Sequence, residues 1–497
     1  MRTVLLKYCP YPYVWVSVCL GVLVVILNSD STSPFFYIWT LDSQIFQYMG
    51  YAMTESKIPY TDLFDHKGLF IYLVNALGYL INHDYGVHLL QIVNLSLTLM
   101  IWYRMLDGVD KVWRRHVYII VALLCLCIYY DCGNMSEEWS LLFVSYPLWT
   151  YHRLLKEEKT QFDKKTLVLI GICIGVVTII RLNNAAPVIG LLFYCLLRAW
   201  RRKEYSYIRW ATLFIILGFA VPILLACLYM GMLGGIQGII DMIYSTFFFN
   251  VEYMRIQGAA SFNIEKYRYL FEVTLPLLIV LPLIRRKPEH VVPLLFCFLL
   301  TVVTLGKSFY DHYLITFIPL LVVSFACMEF YKYRNYLIVP LLAYYLIELP
   351  ISFDDRHFDT HQRKANLEAF QQLISPIPEC ERDQIWNLGS GYLLDVMKAN
   401  HIIQMNRMIL YFQLNVSRSL FEKEAYKIQS AKPKYVILWT EYPSDYAYIS
   451  NLTNYTALDG GPGMDSDVQF VKENYRRLSS TKWADDGELA CYTRIDP

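Results

Sequence analysis

Apolar residues in this chain come in long, nearly uncharged blocks, and no other feature limits the fold as strongly. Such blocks lie near 11–28, 69–82, 86–103, 117–131, 139–152, 166–180, 184–199, 208–230, 271–284, 291–305, 312–329 and 335–349. A helix needs about 20 apolar residues to cross a bilayer. So many blocks in succession require a polytopic α-helical membrane protein. The composition agrees. Hydrophobic residues make up 56% of the 497 positions and charged residues 18%, where a soluble domain carries about 25% charged residues. Lysine and arginine number 44 against 43 acidic side chains. No global basic field marks a nucleic-acid partner. The 12 cysteines show no metal-type or redox-type spacing. Most sit inside the apolar blocks and read as small helix residues.

Charge sets the expected orientation, because basic loops stay cytoplasmic. The basic clusters are Arg104/Lys111/Arg114/Arg115, Arg153/Lys156/Lys159/Lys164/Lys165, Arg198/Arg201/Arg202/Lys203, Arg285/Arg286/Lys287 and Lys332/Arg334. With the N-terminus inside, all five fall inside only when the 69–82 block does not span. Leu69–Ile81 is therefore expected to lie at the outer surface, where Asn75 and Gly78 interrupt its apolar character. The block at 11–28 lacks a small-residue cleavage site and reads as a retained first helix. The expected architecture is about eleven spans, with interfacial helices in the first outer loop and the C-terminus outside. This suits a multi-pass protein of a bacterial inner membrane. Residues 1–350 form the transmembrane module and residues 351–497 an extracytoplasmic α/β domain.

Within that domain, 366–374 and 420–429 have helical periodicity. The stretches 384–388 and 434–439 read as buried strands, the first closed by Gly389-Ser-Gly391. A final hairpin is expected around 482–495. Asp459-Gly-Gly-Pro-Gly463 reads as a turn and not as a phosphate loop. Cys380 and Cys491 either pair in an oxidising compartment or remain two thiols.

The outer loops carry the chemistry. The first holds Asp42 among Trp39, Ile45, Phe46 and Tyr48, then Pro59-Tyr-Thr-Asp-Leu-Phe-Asp-His-Lys67. Asp62 suits a solvated or capping role. Asp42 suits it less well, because a carboxylate in a partly dry setting can act as a base. The second loop, Asp131-Cys-Gly-Asn-Met-Ser-Glu-Glu138, adds Glu137 and Glu138. Either could simply complement the dipole of the helix that follows. Lys67, Arg181, Lys307 and His312 sit at helix ends on the same face. Each could pair with a carboxylate, or together they could hold a phosphate. An anionic lipid headgroup, its tail between helices, is the natural ligand.

The aspartate in the first outer loop, the Pro-Tyr-x-Asp-x-x-Asp-x-Lys segment, the second acidic loop and the late Asp311-His-Tyr313 together resemble the class C (GT-C) glycosyltransferases. These are integral membrane enzymes that use polyprenyl-phosphate sugars. The resemblance covers about 1–350 and is strongest to the branch of bacterial protein O-mannosyltransferase-like enzymes and the lipid A aminoarabinose transferase. It implies that Asp42 is the catalytic aspartate, that Glu137 or Glu138 is the second acid, and that Lys67 meets the lipid phosphate. It also implies inversion at the anomeric carbon. Asp65, His66, Arg181, Lys307, His312 and Tyr313 complete the expected substrate-binding set. Many relatives have proline soon after the lysine, whereas Gly68-Leu69 follows here.

The expected function is transfer of a hexosyl or pentosyl group from a polyprenyl-phosphate donor to a hydroxyl acceptor in the cell envelope. An acid–base site requires no cofactor, although oxygen ligands from Asp42 and Glu137 or Glu138 would suit Mg²⁺ or Mn²⁺. Two other readings use the same residues: a lipid-linked glycan flippase, and a polymerase or ligase acting on lipid-pyrophosphate donors. A flippase needs polar groups through the bilayer centre, and the middles of these helices hold few. The sugar and the acceptor are not legible.

Overall fold

The computed structural model describes residues 13–29, 37–38, 40–257, 270–271, 273–274, 288–305, 310–328, 334–354, 357–358, 360–388, 393–409, 418–441, 464–483 and 487–495. Gly389-Ser-Gly391, the 459–463 turn, Lys307 and most of the 271–284 block lie outside the described residues. The chain divides into two compact units. The first comprises Met1–Pro34, Lys67–Tyr229 and Gln257–His357. The second comprises Phe35–His66, Met230–Ile256 and Phe358–Pro497. The last segment of the second unit starts at Phe358, and the unit also takes in Phe35–His66 and Met230–Ile256. Hydropathy along the chain could not show that these segments join a distant domain.

The first unit is helical. Among the described residues, four helical stretches are long and apolar enough to cross a membrane: Gly86–Gly108, Val112–Tyr129, Leu182–Arg201 and Tyr205–Tyr253, the last counted with the second unit from Met230 on. Shorter apolar helices include Tyr13–Asn28, Leu69–Ile81 and Ile338–Leu349. On Tyr205–Ile243, the side chains of Leu213, Ile216, Leu217, Leu224, Leu225 and Leu228 are all exposed. So continuous an apolar face is stable against lipid, not water. The helix is interrupted at Gly235, where φ is 61°.

Small residues bring its N-terminal part against Lys164–Thr178. A Cβ on Gly171 would stand 2.2 Å from the Ile215 carbonyl oxygen. One on Gly218 would stand 2.1 Å from that of Val168, and one on Gly175 2.6 Å from that of Phe219. This is the close backbone approach that small residues four apart permit in membranes. Elsewhere the helices interlock through large side chains. Trp102, fully buried on Gly86–Met105, donates its indole N–H to Ser145 Oγ on Ser136–Lys156 at 2.8 Å. Tyr118 stacks on Phe325 with ring centroids 4.7 Å apart.

Leu69–Ile81 has 13 residues. At about 1.5 Å per residue, it falls short of the roughly 30 Å hydrocarbon core. Leu77, Leu80 and Ile81 are exposed. Asn75 is buried and exchanges amide hydrogen bonds with Asn134 at 3.2 and 2.9 Å.

The second unit carries a four-stranded sheet. Ile385–Asn387 runs parallel to Tyr435–Glu441. Tyr435–Glu441 is antiparallel to Gly487–Arg494, which is antiparallel to Tyr475–Trp483. A parallel pair needs a long crossover, and the helices Leu394–Ala399 and Arg418–Ala431 lie within it. The core gathers Trp386, Leu388, Val436, Leu438, Val471 and Tyr475. The expected helices and strands are all present, and the final hairpin starts earlier than expected, at Tyr475. Cys380 is exposed, Cys491 is buried, and both are free thiols.

Candidate active site

The second acidic loop builds a dense polar cluster in the first unit. Asp131, Cys132, Gly133 and Asn134 all have positive φ, at 47°, 65°, 71° and 59°. Only glycine adopts such angles freely. Aspartate and asparagine tolerate them best among the others, and cysteine pays a steric cost. The run lifts the chain over Tyr130 and into the first turn of Ser136–Lys156, which carries both glutamates.

The two neighbours then meet different partners. Glu138 is enclosed. Its carboxylate accepts from Tyr130 Oη at 2.5 Å, from Gln91 Nε2 at 2.9 and 3.2 Å, and from the Asn134 backbone N–H at 2.7 Å. Gln91 is fixed in turn by Ser29, whose hydroxyl donates to its Oε1 at 2.8 Å. Asn134, paired with Asn75, also accepts from Trp139 Nε1 at 3.0 Å. Every partner of Glu138 belongs to the framework.

Glu137 meets ionic side chains from distant parts of the chain. Arg181 Nη1 donates to Oε1 at 2.9 Å, and Ser136 Oγ to Oε2 at 2.9 Å. His312 Nε2 lies 3.9 Å from Oε2, while its Nδ1 is 2.7 Å from Asp131 Oδ2. The Arg181 guanidinium lies 3.7 Å from the Tyr313 ring centroid. It thus combines an ion pair with a cation–π contact, and the latter strengthens when desolvated. Asp131, Glu137, Arg181, His312 and Tyr313 form one cluster of alternating charge. The Glu137 carboxylate has no exposed surface, while Asp131 keeps 35% and Arg181 15% of theirs.

Gly68 explains the departure after Lys67. Its N–H donates to the Ile180 carbonyl at 3.1 Å, and Phe70 N–H to that of Ile179 at 3.1 Å. A Cβ at Gly68 would stand 2.1 Å from the Ile179 carbonyl oxygen. Glycine lets the backbone at Lys67 run against the backbone just before Arg181. Two of the expected phosphate-binding cations thereby belong to adjacent backbone segments. Lys67 itself is half-buried, and its N–H donates to Tyr72 Oη at 3.2 Å.

Asp42, Asp65 and His66 belong to the second unit. Asp42 is half-buried in the first turn of Leu41–Thr54. Asp65 and His66 are buried, with Oδ1 and Nδ1 3.3 Å apart, and the imidazole packs 4.7 Å from the Tyr253 ring. Asp62 is exposed and accepts from the Ile58 N–H at 2.8 Å within its own turn. Sequence reasoning quoted Asp131 and Asn134 but gave them no role, and it passed over Gln91 and Tyr130. The Gly-Asn turn chemistry at 133–134 was the available signal. Among the described residues, no three His, Cys, Asp or Glu side chains group closely enough to hold a metal ion.

No protein-family model matches this chain, and no curated protein matches it in sequence. A solved structure does: the crystal structure of ArnT from Cupriavidus metallidurans bound to undecaprenyl phosphate. It aligns with a TM-score of 0.54 at 11% identity, over 97% of this chain and 98% of that one. At that identity the likeness is one of fold, and this protein shares the polytopic helical fold of that structure.

Proposed function

We propose that this protein is a membrane glycosyltransferase. It moves a sugar from a polyprenyl-phosphate donor to a hydroxyl acceptor at the outer membrane face, with inversion at the anomeric carbon. The observation that carries the reading is the cluster of Glu137, Arg181, His312 and Asp131 beside the Lys67 backbone. It is held on a fold shared with a protein solved with undecaprenyl phosphate bound.

In the proposed reaction, Asp42 takes the proton of the acceptor hydroxyl. The acceptor oxygen bonds to the anomeric carbon as the bond to the lipid phosphate oxygen breaks. Arg181, His312, Lys67 and Lys307 stabilise the negative charge that grows on the departing phosphate. Tyr313 keeps the guanidinium in place from one face, and Glu137 fixes it from another. Asp65 and His66 hold the loop that precedes Lys67. Glu138 shapes the loop without touching substrate. The acid–base step requires no metal ion.

Purified protein incubated with polyprenyl-phosphate and polyprenyl-pyrophosphate sugars should release sugar from a monophosphate donor. Release from pyrophosphate donors alone would favour a polymerase or ligase. No release across the panel, from protein that still binds polyprenyl phosphate, would favour a lipid carrier and overturn the proposal. The proposed orientation has its own probe. Exposed Cys380 should react with a membrane-impermeant maleimide in intact cells, and reaction only after permeabilisation would place the C-terminal segment inside.

A further inference from the structure

The second unit contains a cleft of about 180 Å³ that the proposed reaction does not use. Its walls are the 57–63 loop, the 404–408 segment, one face of Arg418–Ala431 and Asp467 of Met464–Asn474. It is smaller than the roughly 300 Å³ at which sites for drug-sized ligands begin, so it admits a single small ring. Lysines 57 and 427 and Arg407 line it together with Asp62, Glu424 and Asp467. With charge balanced in this way, neither an anion nor a cation is favoured.

Much of the wall is already committed to the framework. Arg407 is paired with Glu424 at 2.9 Å and donates to the Tyr60 carbonyl oxygen at 3.0 Å. The amide of Gln404 donates to the Asn406 and Met408 carbonyl oxygens at 2.9 and 2.8 Å, and the Asn406 amide to Asn387 and Met408. These bonds make a rigid floor. Asp467 is different. It is 1% exposed, and its Oδ1 accepts from Gln429 Nε2 at 2.6 Å, but its Oδ2 has no hydrogen-bond partner among the described residues. A buried carboxylate oxygen left in that state costs free energy unless something donates to it. Burial pushes this carboxyl up to about 6, and a donor from a ligand would favour its charged form. The apolar positions Met405, Ala425 and Ile428 offer contact for C–H groups.

We propose that this cleft binds one uncharged sugar residue of the acceptor, with Asp467 Oδ2 accepting from its hydroxyls and Lys427 donating to its oxygens. A neutral, hydroxyl-rich ring with an apolar face is the ligand class that matches balanced charge, an open buried acceptor and a small volume. The assignment to the acceptor rests on the glycosyltransferase reading; the recognition of a sugar does not.

The test uses the full chain in detergent and ligand-observed saturation-transfer NMR with methyl glycosides of hexoses, 6-deoxyhexoses, pentoses and N-acetylhexosamines. At least one should bind saturably. Binding should weaken about 10-fold or more in Asp467→Asn, which removes the charge-assisted acceptor, and measurably in Lys427→Glu, a change at an exposed helix position that folding should tolerate. Donor sugar release to water, in the absence of acceptor, should keep its parental rate in both. If no glycoside binds the parent, or if both variants bind as the parent does, the cleft proposal fails while donor release still reports on the enzyme. If glycosides bind and no donor is cleaved, the sugar site stands and the enzymatic reading fails.

Discussion

Two carboxylate-bearing loops of this protein solve the same problem differently. In the loop leading to Glu138, within the first unit, the acids meet partners from far along the chain. Asp131 reaches His312 and Glu137 reaches Arg181. In the 41–66 segment of the second unit, Asp62 is tied to Ile58 four residues away and Asp65 to its neighbour His66. Locally tied acids hold their own loop in shape. Acids matched to distant cations fix the relative positions of separate helices and keep charged atoms together in a low-dielectric setting, where interactions with a ligand are strong. Asp42 departs from its own loop's pattern, since it is half-buried in a helix's first turn, among buried neighbours.

That contrast can be broken most decisively at Asp42. Asp42→Asn keeps the shape and loses the base, so single-turnover rates should fall about 10²–10⁴-fold with donor binding retained. A rate within a few-fold of the parent would leave Asp42 with the structural acids of its loop. Next comes Glu137→Gln, which keeps an acceptor for Arg181 but removes the charge. A turnover loss of about 10²–10³-fold is expected, as when a preorganised electrostatic group is removed.

Lys67→Ala and Arg181→Ala should each lose a charge-assisted contact to the lipid phosphate worth roughly 1.5–3 kcal/mol. The loss should appear as a higher donor KM or a lower kcat/KM. Unchanged donor kinetics would remove the residue from the phosphate site. The smallest catalytic effect belongs to Glu138→Gln. It turns an amide N–H₂ toward donors that now converge on a carboxylate and should cost about 1–3 kcal/mol of stability, with turnover of the folded fraction within a few-fold of the parent. Equal kinetic losses at Glu137 and Glu138 would erase the distinction between the site acid and the framework acid.

The elements set by local pattern were legible before the structure. Helix periodicity around 366–374 was readable because one buried face imposes a period of 3.6, and the strand at 434–439 because a strand buried on both faces reads as a continuous apolar run. The choice between Glu137 and Glu138 was not readable. Adjacent residues on a helix point about 100° apart, and which one meets Arg181 depends on where Gln91 lies, 47 positions from Glu138, and Arg181, 44 positions from Glu137. The same holds for Asp131, whose partner lies 181 residues further on. Gly68 was noticed only as a departure. Its reason, a backbone contact with Ile179 and Ile180, is tertiary.

The left-handed run from Asp131 to Asn134 sets stability against activity. Glycine at Cys132 or Asn134 would relax the backbone, since such angles cost other residues of order 1 kcal/mol or more each. At Asn134, however, glycine would also delete the amide that Asn75 and Trp139 engage. A laboratory selection for heat resistance alone should therefore disfavour glycine at Asn134, where the hydrogen bonds to Asn75 and Trp139 are lost. A selection for turnover should preserve the side chains at Asp131 and Asn134. Comparing the two enrichment maps would measure how much of this loop's sequence serves folding and how much serves the chemistry next to it.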